Sequence, residues 1–311
     1  MALAHSTVIS TALNVTADTL KGLAHLTFVF RFVLLFVHIL LFSAKAFFLA
    51  LAQLFYPKNQ CLFTNGDFLM SVYAISDLHL STHEKTNKSM EIFGQRWFDY
   101  TNRLKVNWER LVKDGDTVII PGDVSWALSL EEALSDLKFL DSLPGKKIIA
   151  KGNHDFWWST MKKHEAFFKA NSINSISFLH NNAIELDDFI VAGTRGWFVD
   201  DEAKNAPDNA DFEKLVRREA IRLEASLKAA KSLSESAGGK ETVVFMHFPP
   251  YWNEKPCESI IDLLSKYEIK RLYFGHIHGN YTLEQTFTYN GIEMTIISAD
   301  YLGFIPKIIK I

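Results

Sequence analysis

Cysteine is scarce in this sequence: of 311 residues, only Cys61 and Cys257 carry a thiol. Two cysteines set up no disulfide framework, and without a CxxC pair there is no thiolate zinc site. A large excess of charge is also missing. The 33 basic and 36 acidic residues leave a formal net charge of −3, which offers no polybasic footprint for nucleic acid. No internal repeat is present. What charge there is lies unevenly. Residues 1–69 hold four basic residues (Lys21, Arg31, Lys45, Lys58) and two acidic ones (Asp18, Asp67), which leaves 29 basic and 34 acidic residues for the remainder. A mildly acidic body suits a cytoplasmic enzyme that holds metal cations. With 48% hydrophobic residues, the length suffices for one large domain or two small ones.

One long hydrophobic run stands apart from the rest. Phe28 to Tyr56 is almost wholly apolar and rich in Phe, broken by Arg31, His38, Lys45 and Gln53. Three readings of it stay open. As a membrane anchor it has the required ~20 apolar residues, but Arg31 and Lys45 are costly in a bilayer core. As a signal peptide it has Phe32–Phe42 as apolar region and Ala44-Lys45-Ala46 as cleavage site, but its lead-in is long and hardly basic. As an over-extended reading frame it covers residues 1–69, with Met70, immediately before the first strand, as the expected start. The expected division is an apolar helical extension over 1–69 and one domain over 70–311. The expected location is cytoplasmic, or membrane-associated through residues 28–56 if that segment is an anchor.

From Met70 onward, apolar runs alternate with amphipathic segments. Ser71–Ile75, Thr117–Ile120, Lys147–Ala150, Thr242–Met246 and Arg271–Phe274 read as strands. Helices are expected over Ile92–Val112 (Trp97, Tyr100, Leu104, Trp108 and Leu111 at three- and four-residue steps), Leu130–Leu143, Phe156–Ala170, Asp211–Leu233 and Ser259–Tyr267. Phe178–Leu179, Ala183–Leu186 and Phe189–Ala192 read as short strands. The tail Tyr281–Phe287, Ile292–Ser298 and Ile305–Ile311 is β-rich, with a hairpin turn at Asn290-Gly291. A chain that begins βαβαβα and ends in antiparallel strands predicts mixed sheets with helices outside.

Each of the five long strands runs into a polar motif: Asp77-Leu78-His79, Gly122-Asp123, Gly152-Asn153-His154-Asp155, His247, and Gly275-His276-Ile277-His278. Ligands of α/β sheets bind outside the carboxyl ends of strands. Taken singly, these motifs are weak. Asp77 and His79 are two apart in a segment expected to be extended, so both face one side, yet D-x-H is common in loops. Asp123 alone reads as a turn residue. Gly152–Asp155 reads as a turn and helix cap, or as an oxygen donor followed by a general acid and its orienting carboxylate. His247 alone is a strand-end histidine. Taken jointly they gather Asp and Asn oxygens and four His nitrogens around one point, more than one metal needs and about right for two.

In the order D-x-H, G-D, G-N-H-[DE], H, G-H-x-H, the chain resembles the calcineurin-like metallophosphoesterase superfamily from about Met70 to Ser298. The stretches Ile120–Trp126, Gly152–Trp158, Ala192–Trp197 and Asp300-Tyr301-Leu302 are similar to a bacterial-type subgroup of predicted phosphohydrolases. The resemblance implies a four-layer αββα sandwich of two mixed β-sheets with a dinuclear centre on one edge. By position it implies that Asp77, His79 and His278 hold the first metal, that Asn153, His247 and His276 hold the second, and that Asp123 bridges them. The expected cofactors are two divalent ions, Mn²⁺ first, with Fe or Zn²⁺ as alternatives. The expected reaction is hydrolysis of a phosphomonoester or phosphodiester by a hydroxide held between the metals, with His154 as proton donor and Asp155 as its orienter. Arg195 is a weaker candidate, for the substrate phosphate or for a structural ion pair. Trp126, Trp157, Trp158, Trp197 and Trp252 follow motif strands and either wall a pocket or pack loops. Two rival readings are a membrane-anchored hydrolase of a lipid-linked pyrophosphate and a non-catalytic metal-binding scaffold. The sequence carries no signal for oligomeric state.

Overall fold

The computed structural model describes residues 70–84, 86, 88–197 and 212–310. The expectations for 1–69, including the apolar helix and the anchor over 28–56, lie outside these residues. Among the described residues, no helix is long and apolar enough to cross a membrane.

Three βα units open the fold: β1 (Val72–Ala74), α1 (Tyr100–Leu111), β2 (Thr117–Ile120), α2 (Leu134–Ser142), β3 (Lys146–Ile149) and α3 (Met161–Ala170), followed by β4 (Ile176–Phe178). A hairpin of β5 (Ala183–Glu185) and β6 (Phe189–Thr194) comes next, then α4 (Phe212–Ser236) and β7 (Glu241–Met246). A short ribbon of β8 (Tyr251–Trp252) and β9 (Lys255–Pro256) leads into α5 (Glu258–Lys266). The chain ends with β10 (Arg271–Phe274), β11 (Thr286–Tyr289), β12 (Ile292–Ile296) and β13 (Lys307–Ile309).

The strands form two large sheets, ordered β13-β1-β2-β3-β4 and β11-β12-β10-β7-β6-β5. Both are mixed: the central strands are parallel, while β13, β11 and β5 pair antiparallel to their neighbours. Strand alternation produces the layers. Val72, Ala74, Ile119 and Ile148 of the first sheet meet Phe189, Val191, Val243, Phe245 and Tyr273 of the second in a core between the sheets. The alternate residues Tyr73, Ile75, Val118, Ile120 and Ile149 pack under α1, α2 and α3. Ile190, Ala192, Val244, Met246, Leu272 and Phe274 pack under α4 and α5. The result is the four-layer αββα sandwich. Burial of both faces explains why the central strands read as continuous apolar runs rather than alternating ones.

Several boundaries differ from the sequence-based expectation. The helix expected from Ile92 starts at Tyr100. Gly94 at φ 113° and Asp99 at φ 49° break the chain into two 3₁₀ turns first, although Trp97 still buries itself in the same core as Tyr100, Leu104 and Trp108. The helix expected from Phe156 starts at Met161, where the Thr160 hydroxyl accepts from the Lys163 N–H. The tail does not stay in one sheet: β11 and β12 form the expected hairpin around Asn290-Gly291, both at positive φ, but β13 crosses to the first sheet beside β1.

Candidate metal centre

Five loops meet at one edge of the sandwich, each leaving the carboxyl end of a parallel strand. β1 leads to Asp77 and His79, β2 to Asp123, β3 to Asn153, His154 and Asp155, β7 to His247, and β10 to His276 and His278. The two sheets are tied together at this edge. The Ser76 N–H donates to the Ile297 carbonyl at 2.8 Å, and the Ala299 N–H donates to the Ser76 carbonyl at 2.9 Å. That parallel bridge sets the β1 loop against the loops of the second sheet.

The side chains fall into two overlapping groups. Asp77, His79 and His278 each turn one donor atom into a common volume, with these atoms within 4.8 Å of one another; Asp77, Asp123 and His247 do the same. His79 Nε2 and His278 Nε2 are 3.2 Å apart, and His278 Nε2 is 3.5 Å from Asp77 Oδ1. Asn153 Oδ1 lies 2.6 Å from His247 Nε2 and 3.1 Å from His276 Nδ1. Asp123 Oδ2 faces an imidazole on either side, His79 Nε2 at 3.6 Å and His247 Nε2 at 3.4 Å. It is buried and has no hydrogen-bond partner.

The backbone is bent to reach this arrangement. Asp77, His79, Asp123 and His276 all have positive φ, at 60°, 45°, 52° and 68°. The Asp77–His79 segment is therefore not extended, as its spacing suggests; two left-handed residues flank the buried Leu78. Such conformations each cost on the order of 1–3 kcal/mol and persist only where the surroundings over-determine them. Glycines make room. A Cβ on Gly152 would collide with the Asp123 carboxylate, and one on Gly275 with the Asp77 carboxylate.

Electrostatics favour cations here. Burial, then the neighbouring Asp155 and Asp77 carboxylates, push Asp123 well above the usual carboxylate range. Burial and the surrounding imidazoles hold His79 and His247 well below the ordinary value, in the neutral form that ligates metals. His278 differs. Burial disfavours its charge, but the hydrogen bond to Asp300 (Nδ1 to Oδ1, 2.8 Å) and the Asp77 carboxylate raise it to about 10. A donor set of N and O atoms without sulfur, around an unpartnered buried carboxylate oxygen, fits divalent cations.

Asp155 is the main correction to the expected roles. Both of its oxygens are taken by donors other than the His154 ring. Oδ2 accepts from the N–H groups of Asp123 (2.9 Å) and Gly152 (2.8 Å); Oδ1 accepts from Val124 (2.9 Å), Ser125 (3.2 Å) and Trp157 Nε1 (2.9 Å). Burial raises its pKa and these donors oppose that; with five donors and no acceptor facing it, the ionised form is the one that satisfies them. Asp155 thus joins the β2 and β3 loops and does not orient His154.

The His154 ring packs on Trp126, 4.3 Å between centroids, and Trp126 also stacks on His79 at 4.8 Å. Of the five tryptophans that follow motif strands, Trp126 is the one whose ring lies against these histidines; Trp97, further along the β1 loop, meets His79 edge-on at 6.0 Å. Trp157 is buried beneath Asp155, Trp158 packs on His164 and Phe178, and Trp197 packs on Phe248. Arg195 is ion-paired with the buried Glu219 at 3.2 Å. Sequence reading assigned no role to Asp300, which follows β12. It accepts from His278, from the Gly279 N–H and from the Tyr281 hydroxyl, and so fixes the His278 ring as carboxylates behind metal-binding histidines do.

Solved structures similar to the chain include a protein of unknown function from Aquifex aeolicus (17% identity, 77% of this chain and 95% of that one, TM-score 0.40). They also include a phosphopantetheinyl hydrolase from Mycobacterium tuberculosis (17%, 73% and 88%, 0.42) and a protein from Thermus thermophilus (12%, 75% and 91%, 0.47). No curated protein matches. The family model for calcineurin-like phosphoesterases matches residues 70–280, the span that carries all five strand-end motifs. The chain accordingly belongs to the calcineurin-like phosphoesterase family, whose members are metal-dependent phosphoric ester hydrolases.

Proposed function

We propose that the chain hydrolyses a phosphomonoester or phosphodiester at a pair of divalent ions, Mn²⁺ in the first instance, with Fe or Zn²⁺ as alternatives. Asp77, His79 and His278 hold one ion, Asn153, His247 and His276 hold the other, and Asp123 is shared. The observation that carries this reading is the Asp123 Oδ2 atom, buried and unpartnered between an imidazole of each group. When bound, such a pair supplies a water of lowered pKa and positive charge for the phosphoryl oxygens.

The remaining work falls to the chain. His154 stands beside the centre, its ring 5.6 Å from that of His79. Burial holds its pKa down to about 4, with Asp77 opposing and His278 and Lys88 adding to the fall. The ring is therefore neutral in the free site at pH 7. An anionic phosphoryl group brought against it favours the protonated form, and His154 then donates that proton to the leaving oxygen. Trp126 fixes the ring by a tilted aromatic contact in place of a carboxylate partner.

The test is an assay of the full chain on p-nitrophenyl phosphate and bis(p-nitrophenyl) phosphate, after chelation and again after addition of Mn²⁺. Turnover is expected with Mn²⁺ and not in chelator. Activity that survives complete metal removal would refute the reading.

A further inference from the structure

A second charged cluster lies at the same edge of the sandwich, outside the metal centre. Lys151, His180, Thr194, Arg195, Glu219 and Arg222 line a small cleft. Topology fixes its place. Thr194 ends β6 opposite Met246 of β7, and the Arg195 carbonyl accepts from the N–H groups of His247 and Phe248 at 3.2 and 2.9 Å. Lys151 immediately precedes Gly152, whose N–H donates to Asp155. The cleft thus adjoins, through one peptide bond on one side and two backbone hydrogen bonds on the other, the loops that carry Asn153 and His247.

Among the described residues, charge does not balance there. Glu219 is fully buried in the stripe of α4 that also buries Leu215, Leu223 and Leu227. Its carboxylate accepts from Thr194 Oγ1 at 3.0 Å, Arg195 Nη2 at 3.2 Å and Arg222 Nη1 at 2.6 Å. Among the described residues, one negative charge therefore serves two guanidiniums. Arg195 Nε is buried without a partner. The Lys151 ammonium has no ion pair or hydrogen bond among the described residues. Partly desolvated cations in excess are costly until an anion joins them. A guanidinium fork beside a lysine point charge suits a phosphate-like oxyanion.

We propose that this cleft is the subsite for a second oxyanion of the substrate, so that the substrate is a phosphoester carrying a further phosphate, sulfate or carboxylate group. The proposal deepens the metal-centred reading above and rests on it. Glu219 holds Arg195 and Arg222 in position while leaving the cleft positive. Arg195, Lys151 and Arg222 grip the distal group, and that grip sets the scissile phosphoryl group over the metal centre.

Two measurements on the full chain test it. In the first, inorganic phosphate is titrated by calorimetry into metal-free protein. One site is expected, weakened about 10-fold or more by Lys151→Gln and by Arg222→Gln, and unchanged by Lys105→Gln on the exposed face of α1. Melting curves check that each variant is folded. In the second, with Mn²⁺ restored, kcat/KM for hexyl phosphate is compared with values for alkanediol bisphosphates of increasing length. One spacer length is expected to exceed the monophosphate by about 10-fold or more, and Lys151→Gln to collapse that ratio toward one. Phosphate binding without preference for any bisphosphate would reassign the cleft to free phosphate and overturn the substrate class. Absence of Lys151-dependent binding would overturn the subsite itself. Lys151-dependent binding with no turnover of any ester would refute the phosphoesterase reading, and the substrate assignment with it, but leave the anion site standing.

Discussion

The two oxygens of Asp123 are in different circumstances. Oδ1 accepts from the His154 N–H at 2.8 Å, while Oδ2 is buried with no partner. The asymmetry separates a residue that binds from one that reacts. Asp123→Asn removes the shared negative charge, so metal content measured by elemental analysis should fall. His154→Ala touches no donor atom of either group. It should keep both metals and slow turnover by roughly 10²–10⁴-fold, the usual worth of a general acid, with a smaller loss for substrates whose leaving group needs little protonation. A metal-free His154 variant would instead make that residue a ligand. Asp155→Asn tests a different role. Its amide group would confront N–H donors with a donor, and the lost charge-assisted bonds should destabilise the fold by roughly 2–4 kcal/mol. An orienter of His154 would lower the rate and leave the melting temperature alone.

At the scale of elements, α3 carries a pH-dependent part of the stability. His164 is fully buried among Trp157, Trp158, Phe168 and Phe178, and its Nε2 accepts from the Ser159 N–H at 3.0 Å. Burial, with help from His180, lowers its pKa to about 4. Between the unfolded value near 6.5 and this folded value, the unfolded chain binds more protons. Stability is therefore complete above about pH 6.5 and falls as the pH drops toward 4, by roughly 2–3 kcal/mol from this residue. Urea unfolding at several pH values should show that fall, and His164→Gln should flatten it. Such a packed histidine has no sequence signature, and neither do several other features of the elements. The motif strands were legible because burial on both faces leaves unbroken apolar runs, each ended by polar residues. Which sheet a strand joins is written in neither face, so the crossing of β13 to β1 could not be read. The three- and four-residue spacing through Trp97, Tyr100 and Leu104 runs on across Asp99, because core contact and helical hydrogen bonding are different conditions. Adjacency of His154 and Asp155 suggested partnership, yet in a tight loop neighbouring side chains diverge. Asp300 lies in a stretch that the resemblance singled out, but its partnership with His278 could not be read, because the two meet only through the parallel pairing of β10 and β12.

For the whole molecule, metal, protons and folding are linked. The apolar layers on either side of each sheet need no metal, but the edge where Ser76 and Ser298 join the sheets also crowds the Asp77, Asp123 and Asp155 carboxylates. Cations that bind only the folded chain stabilise it by about 2.7 kcal/mol at a hundredfold excess over Kd, so chelation should lower Tm by several degrees. The same binding must expel protons, because ligating imidazoles and carboxylates are deprotonated. His278, raised to about 10 by Asp300 and Asp77 against the opposing effect of burial, is protonated at pH 7 in the metal-free chain. Metal affinity should therefore rise with pH up to about 10, and Mn²⁺ binding near pH 7.5 should release protons. Calorimetric titration in two buffers of different ionisation enthalpy measures that release directly. Asp300→Asn removes the hydrogen-bond acceptor that holds the His278 proton, so it should lower the number released and flatten the rise of affinity with pH. Equal proton release from the wild type and the variant would mean that His278 enters the site already neutral, and that Asp300 does no more than fix the direction of its ring.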